Sequence, residues 1–387
     1  MEIYEGSVGK PMMSATLRNL RDFPRALTWS ALTSGLLIVL ISCTGPVAMV
    51  LQAARVGHFN QNQTASWLWA CWVGSGVFGL LLSLRYRIPI IGAWSTPSVA
   101  LLITGLADHS LAEAVSAYFV SAALIVLVGI TGIFQKLLDL VPRPVIMAML
   151  AGVLFDFGVE LFRQLPTQPA IVIAMLLAYF IARRFGWRAP VVSSLLIGLI
   201  VAFWLDEVKT PHLSWSLANP VFVSPEFSIS SMLTLALPLT LLTLTTQYAP
   251  GMAVLTNSGY PTPTNTALIF GGALSFLGSP FLGSGVNSAA ITAAIGAGPE
   301  AEPDASRRYT AGVVCGLTYI LIGLMGATMV GLFGTLPSAL LAALAGLGLL
   351  PAIGSSTHDS LSDPQYREAA MVTLLLTVSG MHPLSLG

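Results

Sequence analysis

An all-α polytopic membrane protein is the fold class this sequence predicts, and three observations predict it. Charged residues make up 9% of the 387 positions, against about 25% in ordinary soluble domains. Apolar residues reach 55%, and the mean hydropathy is +0.80. The apolar residues fall in long unbroken runs, unlike the roughly ten-residue alternating segments of a membrane barrel. The same figures exclude a soluble enzyme and a disordered chain. Lys plus Arg equals Asp plus Glu at 17 each, so no basic excess exists to neutralise nucleic-acid phosphates.

Taken in order, residues 1–25 are polar and basic and read as a cytoplasmic N-terminal tail. The apolar run that follows is too long for a signal-peptide core, so no cleaved leader is expected. Seven spans are read near 26–53, 64–83, 88–106, 111–134, 144–164, 169–186 and 189–205, which form a first repeat over 26–205. A polar stretch over 206–229 reads as an external linker. Six more spans near 230–255, 264–280, 281–297, 309–333, 336–354 and 367–380 form a second repeat over 230–387. Seven spans before the linker is an odd number, so the second repeat enters the membrane inverted. With the N-terminus inside, only Arg55, Arg163 and Lys209 of the 17 Lys and Arg residues fall outside. That asymmetry supports a cytoplasmic N-terminus.

The third and tenth runs share an unusual plan. Ile88-Pro-Ile-Ile-Gly-Ala-Trp94 reads as extended, and Ser95-Thr96-Pro97-Ser98 is a helix-start signature for a short helix over 99–106. Ser279-Pro-Phe-Leu-Gly-Ser-Gly285 is likewise extended, with Asn287 or Ser288 expected to cap a short helix over 289–297. The first and eighth runs match as well. One is interrupted by Thr44-Gly45-Pro46, the other by Gln247-Tyr248-Ala249-Pro250-Gly251. Interrupted hydrophobic segments at corresponding places in two halves point to a transporter site. Broken backbone survives in lipid only where it is buried or lines a cavity.

Two half-helix N-termini facing each other would favour an anion without any Lys or Arg. The alternative reading is that Gly and Pro only kink tightly packed helices. The candidate binding set is Thr44, Trp94, Ser95, Thr96, Ser98, Gln247, Tyr248, Gly285, Asn287 and Ser288. Gln247 and Asn287 can each donate and accept hydrogen bonds, and Trp94 could wall an aromatic ligand. The hydroxyl residues could instead satisfy their own helix backbones. Asp156 lies 12 residues past Pro144, near mid-membrane, and is the candidate proton carrier; the bland reading is a carboxylate facing a wet cleft. Cys43, Cys71 and Cys315 sit inside apolar runs and read as packing residues. No HExxH, CxxC or Walker motif is present, so neither an enzyme, a metal nor a cofactor is expected.

Several stretches resemble the benzoate–proton symporter family of the BenE type. They are Pro238-Leu239, Gln247 to Gly251, Gly259-Tyr260, Met149-Leu-Ala-Gly152 and Arg367-Glu-Ala-Ala370. Val286-Asn-Ser-Ala-Ala-Ile-Thr-Ala-Ala-Ile295 and Ser379-Gly380 complete the set. The resemblance runs over nearly the whole chain. It implies a bacterial inner-membrane carrier importing benzoate with a proton. It also implies a 7+7 inverted-repeat fold shared with uracil and related nucleobase carriers, with spans 1, 3, 8 and 10 making the site. Nucleobase carriers place carboxylates on spans 8 and 10, where this chain has Gln247 and Asn287, so a nucleobase is not expected. The family pattern continues into a fourteenth span, whereas this chain stops at Gly387, so about 13 spans are expected here. The partners expected are a benzoate-like anion, a proton and the bilayer, with a homodimer left open. The rival reading is a carrier or channel for another organic or inorganic anion on the same fold.

Overall fold

The computed structural model describes residues 12–379, apart from 44, 108, 135, 137–141, 188–189, 209–216, 291 and 334. Helix α1 (Met12–Ala26) occupies the stretch that the sequence reads as a plain tail. The chain then turns by 109° into α2 (Trp29–Ser42). With α3 (Gly45–Val56) it forms span 1, broken where expected, although Thr44 itself lies outside the described residues. Pro46 sits in the first turn of α3, where its missing N–H costs nothing. Helix α4 (Gln61–Tyr86) opens with a capping box between Asn60 and Gln63. An extended stretch follows, with β1 (Gly92–Ala93), then α5 (Thr96–Gly105). Helix α6 (Leu111–Thr131) opens with a second capping box, Ser110 with Glu113. Helices α7 (Arg143–Arg163), α8 (Pro169–Arg184) and α9 (Pro190–Trp204) complete the first half.

The second half departs from expectation twice. Helix α10 (Ile229–Asn257) runs unbroken for 29 residues, so the interruption read at Gln247–Gly251 is corrected. Proline cannot donate a backbone hydrogen bond, and its ring crowds the carbonyl one turn back. Here the turn before Pro250 widens into a π-helical segment, Leu244–Tyr248, in which the Ala249 N–H donates to the Leu244 carbonyl. The wider turn absorbs the proline without a break. A second π segment, Met232–Ala236, precedes Pro238. Helix α11 (Thr264–Gly278) and a 3₁₀ turn (Ser279–Phe281) lead to β2 (Asn287–Ser288). Asn287 and Ser288 are therefore strand residues rather than helix caps. Helix α12 (Ala293–Ala297) has only five residues and opens at Thr292 without a side-chain cap. Then come α13 (Tyr309–Leu324), α14 (Gly326–Phe333), α15 (Ser338–Leu361) and α16 (Arg367–Val378).

Packing follows the symmetry of an inverted repeat. Exchanging the halves turns the contact of span 2 with span 11 into that of span 9 with span 4. Both occur, as α4 on α13 and α6 on α11. Span 1 on span 3 (α3 on α5) has its mate in span 8 on span 10 (α10 on α12). Span 5 packs on span 12 (α7 on α15), and β1 pairs with β2; each of these contacts is its own mate. Among the described residues, α4, α6 and α10 are each long and apolar enough to cross a bilayer alone.

Three large apolar clusters fill the interior. One gathers Trp67, Trp72, Tyr118 and Tyr319 among spans 1–4, 8, 10 and 11. A second gathers Met147, Met175, Tyr179 and Leu344 largely from spans 5–7 and 12. A third gathers Phe78, Tyr248, Met252 and Leu268 among spans 2–4 and 8–10. The linker straps one end of the first bundle. Val221 N–H donates to Ser66 Oγ (2.9 Å), Val223 N–H to Pro280 O (2.8 Å) and Glu226 N–H to Ala112 O (3.0 Å).

Candidate functional site

The site is built around a two-residue antiparallel ladder at the centre of the first bundle. Gly92 pairs with Ser288 and Ala93 with Asn287, and the Ala289 N–H donates to Ile91 O at 2.8 Å. This ladder supplies backbone partners that lipid cannot. Glycine is required at 92, because a Cβ there would collide with the Ser75 carbonyl of α4. The strand carrying β2 hangs from α11. Ser275 Oγ accepts from the Val286 N–H at 2.7 Å and donates to Gly271 O at 2.7 Å. Gly285, at φ +133°, adopts a backbone conformation that side chains rarely tolerate.

Span 3 starts its helix as the sequence indicates. Ser95 Oγ accepts the Ser98 N–H at 3.2 Å, and Ser98 Oγ donates to Ser95 Oγ at 2.7 Å. Ser98 Oγ also lies 3.2 Å from Thr243 Oγ1, joining spans 3 and 8. Asn287 is 0% exposed. Its amide oxygen accepts the Ser95 N–H at 3.0 Å, and its NH2 donates to Ser288 O at 3.2 Å. The amide orientation is assigned from those partners. Asn287 thus bolts β2 to the start of α5.

A narrow cleft opens beside the ladder. Spans 1, 3, 8 and 10 all reach it: Ile41, Ser42 and Pro46; Ala93, Trp94 and Thr96; Gln247; Ala289, Ala290 and Thr292. Phe157 of α7 closes it from the second bundle. No charged side chain stands among these residues. Gln247, Thr96 and Thr292 are buried, yet their side chains make no hydrogen bond to any described residue. Elsewhere hydroxyls bond their own helices, as Thr245 does to Leu241 O and Thr246 to Leu242 O. The Gln247, Thr96 and Thr292 side chains bring free hydrogen-bonding capacity to the cleft, while the buried hydroxyls of Ser75, Tyr118 and Tyr309 are unpaired elsewhere in the interior. Trp94 forms an apolar wall, set edge-on to Tyr319 with ring centres 6.0 Å apart.

Trp94, Thr96 and Gln247 are therefore brought to one cleft. Ser95, Ser98, Asn287 and Ser288 stand behind its wall, fully or nearly buried. Tyr248 lies apart: its hydroxyl faces Val286 O at 3.3 Å and Ala267 O at 3.5 Å. Gly285 lies in the strand before β2, away from the lining. Asp156 belongs to α7, one residue before Phe157, and its side chain lies outside the described residues. Eight lining residues lie outside the predicted binding set, Ile41, Ser42, Pro46, Ala93, Phe157, Ala289, Ala290 and Thr292. Ser42 ends the helix just before the span 1 break, Thr292 precedes α12, and Phe157 adjoins Asp156. For Ser42 and Phe157 the signal was adjacency to residues already singled out. The second facing half-helix does not form at its expected length, so the helix starts that reach the cleft are those of α5 at Thr96 and α3 at Pro46.

The model of a family described as benzoate membrane transport protein matches residues 26–387. The benzoate membrane transport protein of Acinetobacter baylyi is 44% identical over 368 residues, covering 95% of this chain and 93% of that protein. Inner membrane protein YdcO of Escherichia coli is 39% identical over 356 residues, covering 92% and 91%. Among solved structures, the transmembrane domain of the cyanobacterial bicarbonate transporter BicA superposes with a TM-score of 0.64 at 15% identity, covering 95% and 97%. The structure of SLC26A9 gives a TM-score of 0.51 at 14% identity, covering 95% and 66%. The fold is thus the 7+7 inverted repeat of membrane transporters rather than that of an enzyme.

Proposed function

The chain belongs to the benzoate membrane transport protein family, and from that premise we propose that it imports benzoate or a close aromatic carboxylate by proton symport. The observation that carries this reading is the cleft where four interrupted or strained spans meet with unpaired polar groups and no charge. Its polar side would take the carboxylate. Thr96, Thr292 and the Gln247 amide supply donors, and the positive end of α5 adds a fixed partial charge. Its apolar side, Trp94, Ile41, Pro46 and Phe157, would take the ring. Neutral donors suit an anion that must be released again, because a buried guanidinium pair would hold it too firmly.

Benzoate arrives as an anion, and a coupled proton offsets its charge. Asp156 is the proposed proton carrier, since it sits beside Phe157 at the boundary between the two bundles. Alternating access then consists of the α7–α15 bundle moving against the bundle that holds the ladder. The clustering of Arg18, Arg21, Arg85, Arg87, Arg307 and Arg308 at the end of the molecule opposite the linker supports a cytoplasmic N-terminus in a bacterial inner membrane. Residues 26–205 and 230–387 serve as the two repeats, with 206–229 as the external connection.

Labelled benzoate uptake into proteoliposomes, with and without an inward proton gradient, tests the reading. Accumulation driven by the gradient is expected. Downhill flux indifferent to the gradient would replace symport by a uniporter or channel. Flux of other anions without benzoate would replace the substrate. The Asp156→Asn variant should retain benzoate exchange while losing proton-driven accumulation; accumulation undiminished would remove Asp156 from the mechanism.

A further inference from the structure

Helix α1 precedes the segment that the family model matches, and the transport mechanism gives it no task. Its residues sort into three stripes. Asn19, Phe23 and Ala26 face inward: Asn19 Nδ2 donates to Leu84 O at 2.6 Å, and Phe23 packs with Leu84, Tyr309 and Val313. Leu17, Leu20 and Pro24 form an exposed apolar stripe, with the two leucines 54% and 49% exposed. Arg18, Arg21 and Arg25 form an exposed basic stripe beside it.

The position of α1 fixes what those stripes meet. It runs 109° from α2, so it lies nearly across the direction of the spans. It rests on the last turn of α4 and the first turn of α13, which is the level where spans leave the bilayer. Trp29, 82% exposed, marks the corner between α1 and α2, a place where indole rings favour the headgroup layer. An apolar stripe flanked by arginines, held flat at this level, has the form of an interfacial helix.

We propose that α1 is a lipid-sensing anchor whose arginine stripe holds the headgroups of anionic phospholipids while Leu17 and Leu20 enter the acyl boundary. Charge complementarity selects the lipid, since a zwitterionic headgroup offers no net partner to three guanidinium groups. The anchor is tied to the site. Arg307 donates to the main-chain carbonyls of Arg25 (3.0 Å) and Ala26 (3.2 Å). Thr28 Oγ1 donates to Glu302 at 2.5 Å, and Ser30 Oγ donates to Glu300 O at 2.7 Å. Lipid held at α1 therefore steadies the loop that follows α12, hence the strand–helix segment that forms one wall of the cleft.

The test is thermal unfolding of the purified full chain in neutral detergent, titrated with phosphatidylglycerol or phosphatidylcholine. It needs no substrate, so its outcome is independent of the benzoate reading. Phosphatidylglycerol alone should raise the midpoint. In the Arg18→Gln, Arg21→Gln, Arg25→Gln variants the half-maximal lipid concentration should rise about fivefold for each arginine removed. About 0.5 M salt should mimic that loss. The matching Arg→Lys variants should keep the response, and Leu17→Ser with Leu20→Ser should weaken it at unchanged charge. Equal stabilisation by both lipids, or an unaltered response in the triple Gln variant, overturns the proposal.

Discussion

Spans 3 and 10 carry the same plan in sequence and end differently in structure. Both approach the membrane centre as extended chain, and they pair there as β1 and β2. Beyond the ladder, span 3 forms a ten-residue helix whose first turn is closed by Ser95. Span 10 forms five helical residues with no side-chain cap. The inverted repeat thus builds a symmetric frame around an asymmetric site. One side contributes helix polarity through α5. Thr96 adds a hydroxyl on that side, and the other side contributes side chains without such a helix, with Thr292 from span 10 and Gln247 from the neighbouring span 8. An anion approached from one side by a dipole and from the other by neutral donors has a fixed orientation, which two equal half-helices would not impose.

The largest effect should come from the ladder itself. Gly92→Ala drives a methyl group into the Ser75 carbonyl and should prevent recovery of folded protein, whereas Ser288→Ala at the paired position should leave it recoverable. Size-exclusion profiles in detergent compare the two; similar profiles would mean the ladder yields more than its geometry allows.

Next come the two amides. Gln247→Ala should cut uptake at least about tenfold with little change in thermal stability, because no partner is orphaned. Asn287→Ala should also abolish uptake, and it should lower stability by about 1–3 kcal/mol, because the buried Ser95 N–H loses its acceptor. Paired uptake and unfolding measurements separate a ligand contact from a bolt; equal stability losses would erase the distinction.

The smallest effect distinguishes the helix starts. Ser95→Ala should cost about 1 kcal/mol through loss of the cap. Thr292→Ala should leave stability unchanged and raise the KM for uptake. A reversed pattern in unfolding and uptake assays would exchange the roles assigned to spans 3 and 10.

Much of this was legible in sequence because it is local. Proline, glycine and cap residues mark the break after Ser42 and the helix start at Ser95, and each signal acts within a few positions of itself. The errors came where distant partners decide. Asn287 and Ser288 resemble caps until β1 offers them a strand. The run containing Pro250 resembles a break until a π turn accommodates the ring. The sequence of α1 reads as a tail because its inward stripe becomes meaningful only against Leu84 and Tyr309. Phe157 carries no such local mark, because nothing in span 5 tells which of its residues will face the cleft.

The pairing of Gly92 with Ser288 also sets an order of assembly. The two residues stand 196 positions apart. At roughly 5–20 residues per second, the first waits about 10–40 s on the ribosome for the second to be made. During that interval the nascent first half carries extended backbone at membrane depth without its ladder partner. Maturation of this protein therefore includes a stage in which half the frame is inserted and its centre is still open. Final closure is a late, post-insertion event that joins the two halves at once.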